Sequence, residues 1–162
     1  MINLIRCDDR LIHGQCMVRL VQHYKINHII VIDEFTATNP AMRYVVEKVA
    51  LPGMKNDVHT METAVGTVKE AIDNKTGTMI VFRFPSVAKE LFDSVENLPM
   101  HLMVGPVQKR EGEIYTIQNG TYCTKEELEL FDYLANKGVD VFFQVVPDMK
   151  RIDWKDIRGK LL

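Results

Sequence analysis

The sequence predicts an α/β protein with an open, mainly parallel twisted sheet, helices on both faces and a small antiparallel edge. Short β-branched runs alternate with stretches of helical period along the whole chain, which is typical of parallel strands joined by helices. Several candidate strands are apolar throughout, as expected when both faces of a sheet are covered. With 162 residues and a hydrophobic fraction of 46%, the chain fits a single domain over 1–162.

Six β-prone runs are predicted to form the main sheet. They cover 2–6, 27–32, 57–60, 78–82, 101–104 and 139–146. A further pair of runs, at 114–116 and 121–123, surrounds Asn119 and Gly120. An Asn-Gly pair between two β-prone runs is a strong hairpin signal. We therefore expect the antiparallel edge at this hairpin.

The first, second and last of the main helices are predicted from apolar periodicity and from residues that typically start a helix. A helix beginning near Gly14 turns one apolar set inward, namely Met17, Leu20, Val21 and Tyr24. Asn39 before Pro40 is a typical helix start. The residues that follow it predict another apolar stripe, made of Met42, Val45, Val46 and Val49. A short closing helix is predicted over 153–162, with Trp154 as its anchor.

Capping residues mark the remaining helices. Thr60 is a predicted N-cap, and Ser86 after Pro85 begins a further helix. Thr124 and Glu127 form a T-x-x-E capping box, and a glycine at 138 closes that helix. The predicted inward residues are Ala64, Val65, Val68 and Ile72, then Val87, Leu91 and Val95, then Leu128, Phe131, Leu134 and Ala135.

The composition narrows the class of function. The longest apolar runs are far shorter than the roughly 20 residues of a membrane-spanning helix, and the N-terminus lacks the features of a secretory signal. Three cysteines without a CxxC pair favour reduced thiols and a cytosolic location. A net charge of −2 without a dense basic cluster argues against nucleic acid as a partner.

The loop after the first strand carries the predicted chemistry. It reads CDDRLIHGQ over 7–15 and leaves the carboxyl end of a strand, where open parallel sheets bind ligands. The helix starting at Gly14 would offer backbone N–H groups to an anion. A neutral His13 is a competent nucleophile toward phosphorus, and Arg10 could neutralise phosphoryl oxygens without a metal. An acid such as Asp8 could orient the ring, although the residues alone leave open which acid does so, and an ordinary ion-paired turn is the structural alternative.

The run 6–15, RCDDRLIHGQ, closely resembles the R-x-D-D-R-L-I-H-G-Q segment of IIB proteins of the mannose, fructose and sorbose group of the phosphoenolpyruvate-dependent phosphotransferase system. The likeness covers essentially the whole chain. It continues at 33–34, 38–40, 43, 51–53, 57–60, 137–139 and 144–147. The chain departs from the family at 105–108, where Gly-Pro-Val-Gln replaces the commoner Gly-Asn-Met form.

The resemblance implies a cytoplasmic phosphoryl carrier that associates peripherally with the membrane through its partners. His13 would accept a phosphoryl group from a phosphorylated IIA protein and pass it to a sugar entering through a membrane IIC/IID pair. Arg10 and Asp8 would be catalytic with it. The phosphate-binding set is predicted to comprise Asp9, Gly14 and Gln15. No cofactor and no metal are expected, while the sugar and the oligomeric state, with a homo-oligomer as one alternative, stay open.

Residues after the second and fourth strands are candidates for the rim of this site. Asp33 could line the site, or it could simply cap a helix. Phe84 and Ser86 follow the fourth strand and could lie at the rim together with Arg83. A proline at 85 followed by serine is also an ordinary helix start, so these residues have a plainer alternative role.

Three other functional hypotheses are weighed against a phosphohistidine. Cys7 could be a phosphocysteine nucleophile, activated by Arg10 and the helix start. A receiver-type signalling module would instead be phosphorylated on Asp33 in a metal-dependent reaction. A non-catalytic module would bind phosphate without ever becoming covalently labelled.

Overall fold

The computed structural model describes all 162 residues. Its strands are β1 (Ile2–Cys7), β2 (His28–Ile32), β3 (Lys55–His59), β4 (Thr78–Phe82), β5 (His101–Val104), β6 (Ile114–Gln118), β7 (Thr121–Thr124), β8 (Asp140–Phe143) and β9 (Ile152–Asp153). Its helices are α1 (Gly14–Tyr24), α2 (Glu34–Thr38), α3 (Pro40–Lys48), α4 (Met61–Asp73), α5 (Pro85–Ser94), α6 (Lys125–Asn136) and α7 (Trp154–Leu161).

The main sheet has seven strands in the order β3-β2-β4-β1-β5-β8-β9. All neighbours are parallel except β9, which runs antiparallel to β8. The hairpin predicted around Asn119 and Gly120 forms, with Gly120 at φ +83°, but β6 and β7 make a separate two-stranded sheet. The predicted antiparallel hairpin is thus confirmed, but it does not form an edge of the main sheet. The antiparallel edge of that sheet is β9, which is only two residues long and gives no periodic signal.

Helices cover both faces of the sheet, as predicted. On one face, α4, α5, α6 and α7 pack apolar residues into a cluster of 26 buried side chains. On the other face, α1 and the segments around it contribute to a second cluster of 12. Trp154 anchors α7 with 1% of its surface exposed, and the capping box of Thr124 and Glu127 forms at the start of α6. None of the helices has the length and hydropathy needed to span a membrane.

The apolar stripe predicted for α3 was wrong. Met42, Val45 and Val49 are 40%, 54% and 51% exposed, and only Val46 packs against the second cluster. The helix contacts mainly β3, which is the edge strand of the sheet. An edge strand covers only one row of a helix, so the rest of the stripe faces outward.

In the main sheet, two predicted strand limits differ from the structure by more than one residue. Strand β3 begins at Lys55 and not at residue 57, because its polar start pairs in register with β2. Strand β8 ends at Phe143. After it, the Gln144 side chain donates to the carbonyls of Pro147 and Met149, which takes the chain out of the sheet.

The strand order places a topological switch point between β1 and β5. From β1 the chain proceeds through α1 to β2 on one side of the sheet, whereas from β5 it proceeds to β8 on the other side. Open α/β sheets bind ligands in the crevice outside such a point. The segments that meet there are residues 8–13, here called the histidine loop, and residues 105–113, here called the β5–β6 segment.

His101 at the start of β5 gives the fold a pH dependence. Its Nε2 accepts a hydrogen bond from the Ile5 N–H at 3.3 Å, which requires that nitrogen to be unprotonated. Burial lowers the pKa of His101 below its ordinary value of 6.5, and Arg151 adds to this effect while Asp140 opposes it. The folded state therefore binds fewer protons than the unfolded state, and stability is lost as the pH falls below about 6.5.

We expect urea unfolding at about pH 5 to give a lower free energy of unfolding than at about pH 7.5. His101→Gln keeps a hydrogen-bond acceptor but does not titrate, so this variant should lose less stability over the same interval. The exposed His23 provides the matched control, since His23→Gln should follow the wild-type profile. Parallel profiles for His101→Gln and the wild type would contradict the assignment.

Candidate active site

His13 lies at the carboxyl edge of the sheet, where the sequence placed it. It is the N-cap residue of α1, with φ −154° and ψ +138°, and its side chain makes no bond to the helix backbone. The first turn of α1 contains no acidic residue. The N–H groups of Gly14 and Gln15 belong to the first turn, where a helix has no internal acceptor for them, so they can bind an anion beside the ring.

The His13 ring is half-buried, and both of its nitrogens are covered and without a hydrogen-bond partner. Burial lowers the pKa of His13, with Arg10 and Arg6 acting in the same direction and Asp8 opposing them. The ring is therefore neutral near pH 7, as a nitrogen nucleophile must be. The hydrogen bond that the ring was expected to donate to Asp8 is not formed, which corrects the predicted role of that acid.

Asp8 is bound to two arginines of the same segment. Its Oδ2 accepts a hydrogen bond from Arg6 Nη2 at 2.9 Å, and its Oδ1 accepts one from the Arg10 N–H at 3.0 Å. The exposed Arg10 guanidinium lies 3.7 Å from the same carboxylate. Asp8 thus fixes the backbone that carries Arg10 and acts on His13 through its charge.

Arg6 was missed as a site residue, although a charged residue inside an apolar strand was a signal. Its side chain is fully buried and donates to the carbonyls of Gln144 and Val145 at 3.2 and 2.9 Å, as well as to Asp8. A buried guanidinium needs such partners, because an unpaired buried charge is strongly destabilising. Arg6 therefore joins the histidine loop to the turn after β8.

Gly105 lies flat against the Arg6 guanidinium, since a Cβ at this position would be 2.6 Å from Arg6 Cζ. Arg6 is held on both of its amino groups and cannot move aside. We expect Gly105→Ala to lower the free energy of unfolding by about 1–3 kcal/mol. Gly66→Ala in α4 is the control, because a Cβ there meets nothing within 4 Å and alanine favours a helix. Equal urea midpoints for the two variants would contradict the prediction.

Asp9 does not face the anion site as predicted. Its carboxylate accepts hydrogen bonds from Arg110 Nη2 and from the Gln108 N–H, both at 2.7 Å. These contacts use both carboxylate oxygens, and a free carboxylate would in any case repel phosphate. Asp9 therefore serves to attach the histidine loop to the β5–β6 segment.

The rim candidates after β2 and β4 come together through Arg83. Asp33 caps α2 by accepting from the Thr36 N–H and hydroxyl, and it forms an ion pair with Arg83 at 3.2 Å. Arg83 also donates to the Asp9 carbonyl at 3.1 Å. Phe84 and Ser86 are exposed at the start of α5 on the same edge of the sheet. Their side chains form no hydrogen bond with Asp33 or Arg83, and the Phe84 ring lies beside the Arg110 guanidinium.

Cys7 is not exposed for reaction. The residue is fully buried in the larger apolar cluster, and burial raises the pKa of its thiol well above the ordinary value, with Asp9 acting in the same direction. Arg10 and the helix start therefore do not activate it as the phosphocysteine hypothesis requires, because a reactive thiol has to be accessible and ionised.

Fold and site together define an open α/β protein with a neutral histidine at an uncapped helix start beside its switch point. The family described as "PTS system sorbose subfamily IIB component" matches residues 2–161. The chain belongs to this family.

Curated relatives and solved structures agree with that assignment. The chain is 23% identical over 160 residues to the PTS system mannose-specific EIIAB component of Escherichia coli K12, which covers 99% of this chain and 49% of that protein. The chain thus spans about half the length of that relative. It is 26% identical over 153 residues to the N-acetylgalactosamine-specific phosphotransferase enzyme IIB component 2 of the same organism, covering 94% of this chain and 95% of that protein.

Among solved structures, the IIBSor domain of the sorbose permease from Klebsiella pneumoniae has the same fold, with a TM-score of 0.89 at 22% identity over 99% of this chain and 98% of that chain. The manxB structure from Thermoanaerobacter tengcongensis gives a TM-score of 0.86 at 27% identity, covering 99% of this chain and 96% of that chain.

Proposed function

We propose that the chain is a phosphoryl carrier of a sugar phosphotransferase system. His13 accepts a phosphoryl group from a phosphohistidine on a IIA protein and passes it to a sugar held by membrane IIC and IID partners. The observation that carries the proposal is the position of His13, a neutral imidazole at an uncapped helix start within the segment that resembles the family's reactive loop.

The transfer step follows from this geometry. A lone pair of the His13 ring forms a new N–P bond while the P–N bond to the donor imidazole breaks, and that imidazole keeps the electron pair. Charge on the three equatorial oxygens must be neutralised as this happens. The exposed Arg10 guanidinium supplies a permanent cation, and the N–H groups of Gly14 and Gln15 donate hydrogen bonds. In onward transfer the oxygen of a sugar hydroxyl forms a new O–P bond while the N–P bond to His13 breaks. The ring nitrogen keeps the electron pair of that bond, and the hydroxyl proton is released to solvent.

Transfer also requires the ring to turn outward, because its nitrogens are covered in the resting conformation. Residues with a left-handed backbone conformation lie on both sides of His13, namely Leu11 at φ +55° and Gly14 at φ +45°. A Cβ at Gly14 would meet nothing within 4 Å, so the glycine serves backbone freedom and not close packing. We propose that this backbone freedom allows the His13 ring to turn outward.

The partners follow from the family and not from contacts of this chain. The mannose-specific relative, of about twice this length, is named EIIAB, which supports a IIA unit as the donor. A carrier of this kind works in the cytoplasm and reaches the membrane only by binding the IIC and IID proteins. The identity of the sugar would then be set largely by those membrane partners.

The two other classes have less support. A receiver would need Asp33 free to accept a phosphoryl group, but that carboxylate caps α2 and pairs with Arg83. A simple anion-binding module would not need a neutral imidazole at the anion site.

Intact-mass measurement separates these hypotheses. The chain is incubated with phosphoenolpyruvate and the general phosphotransferase proteins. One sample also contains a IIA protein, and a second sample lacks it. We expect the mass of one phosphoryl group to be added only when IIA is present, and we expect acid to remove it while alkali does not. An acid-stable product, an alkali-labile acyl phosphate or no added mass would each overturn the proposal.

A further inference from the structure

The histidine loop is fastened to the β5–β6 segment through a single residue, Asp9. Its N–H donates to the Pro106 carbonyl at 3.1 Å, and its carboxylate receives the Gln108 N–H and Arg110 Nη2, each at 2.7 Å. The two segments leave neighbouring strands on opposite sides of the switch point. This attachment therefore helps to set the position of the loop, together with the Asp8–Arg6 pair and the hydrogen bond from Arg83 to the Asp9 carbonyl.

Arg110 is itself held from three directions. Its Nη1 forms an ion pair with Glu127 at 2.8 Å, its Nη2 binds Asp9, and its guanidinium lies 5.1 Å from the centre of the Phe84 ring. Glu127 is buried in the first turn of α6, where its other oxygen accepts the Thr124 N–H. Arg110 thus links the histidine loop to α6 and to the start of α5.

Both carboxylates around Arg110 are largely removed from water. The Asp9 and Glu127 side chains are 12% and 10% exposed. Burial raises the pKa of Glu127, while Arg110 and the Thr124 N–H act against this. Without the guanidinium, two acids would share a poorly solvated site, and their repulsion would separate the loop from α6.

We propose that Arg110 is a positioning residue for phosphoryl transfer at His13, acting through Asp9. This inference rests on the proposed function. Arg110 Nη2 donates to Asp9 and its Nη1 is buried 2.8 Å from Glu127, so the residue acts by fixing the loop and not by contacting phosphate. Loops that carry reactive groups lose rate when they are misplaced by as little as about 1 Å.

The test compares the kinetics of labelling by phosphorylated IIA in Arg110→Met, Arg110→Lys and the wild type. We expect Arg110→Met to lower the rate at saturating donor by about tenfold or more, with little change in KM. Arg110→Lys keeps the charge but cannot bridge both acids, so it should recover part of the rate. Lys109→Met is the matched control, because Lys109 is exposed and packs on Tyr122, and it should behave as the wild type.

Hydrogen exchange provides a readout that is independent of transfer. In Arg110→Met, the amides of residues 9–14 should exchange faster while those of β1 and β4 stay protected. A wild-type rate in Arg110→Met, a change confined to KM, or a loss of protection throughout the sheet would overturn the positioning role. Failure of the wild type to become labelled would instead refute the proposed function, so the two failures are distinguishable.

Discussion

His13→Gln is expected to abolish labelling by phosphorylated IIA, with a loss of at least about 10⁴-fold in rate, the scale seen when an enzyme loses its nucleophile. Glutamine is polar and of similar size, so it should fit the half-buried position at the start of α1. Its amide nitrogen, however, has no lone pair available to attack phosphorus. Intact mass after incubation with the donor proteins measures the effect directly.

Two control variants separate this result from a general defect. His23→Gln changes an exposed histidine of the same helix and should be labelled like the wild type. Cys7→Ser removes the thiol of the phosphocysteine hypothesis and should also retain labelling. If His13→Gln were labelled normally, or if Cys7→Ser were the variant that lost labelling, the phosphoryl group would have to be carried elsewhere.

Arg6→Met should lower the free energy of unfolding by about 3–5 kcal/mol, because it leaves Asp8 as a buried charge without its main partner. It also leaves the carbonyls of Gln144 and Val145 without their donor. Equilibrium unfolding in urea at about pH 7.5 measures the loss, and the histidine loop should lose its order at the same time.

The pair of Arg43 and Glu47 provides the comparison for this effect. It is exposed and spaced i, i+4 on α3, so Arg43→Met should cost only about 0.5 kcal/mol or less. Adding Asp8→Leu to Arg6→Met removes both charges and should restore part of the lost stability. If Arg6→Met alone were as stable as Arg43→Met, the buried pair of Arg6 and Asp8 would not be important to the fold.

Local signals account for the parts of the fold that the sequence predicted correctly. Strand β4 coincides with the predicted run 78–82, because a strand buried on both faces is apolar at every position. The start of α3 at Asn39 and Pro40 was also correct, since a cap depends on a side chain and the backbone within three residues of it. The histidine loop was recognisable for the same reason, because its candidate site residues are contiguous in the sequence.

Features that depend on distant residues could not be predicted in this way. The acceptors of Arg6 lie 138 and 139 positions further along the chain, and Arg110 binds an acid 101 positions before it. The apolar strand around Arg6 is a local sign that this residue is buried, but the residues next to Arg6 and Arg110 do not reveal which partners the two arginines bind. The outward stripe of α3 was missed for a related reason, since helical period shows that a face is apolar but not whether the sheet extends far enough to cover it.

The central position of β1 affects the order in which the protein can assemble as it is synthesised. This strand precedes every other strand of the sheet along the chain, yet it pairs with β4 and β5, and Arg6 finds its carbonyl acceptors only after β8. Before β4 is made, only β2 and β3 can pair. Such long-range pairing slows folding. On the proposed function, a nascent chain would therefore hold His13 on an unformed loop, and it could receive phosphate only after β8 has been made.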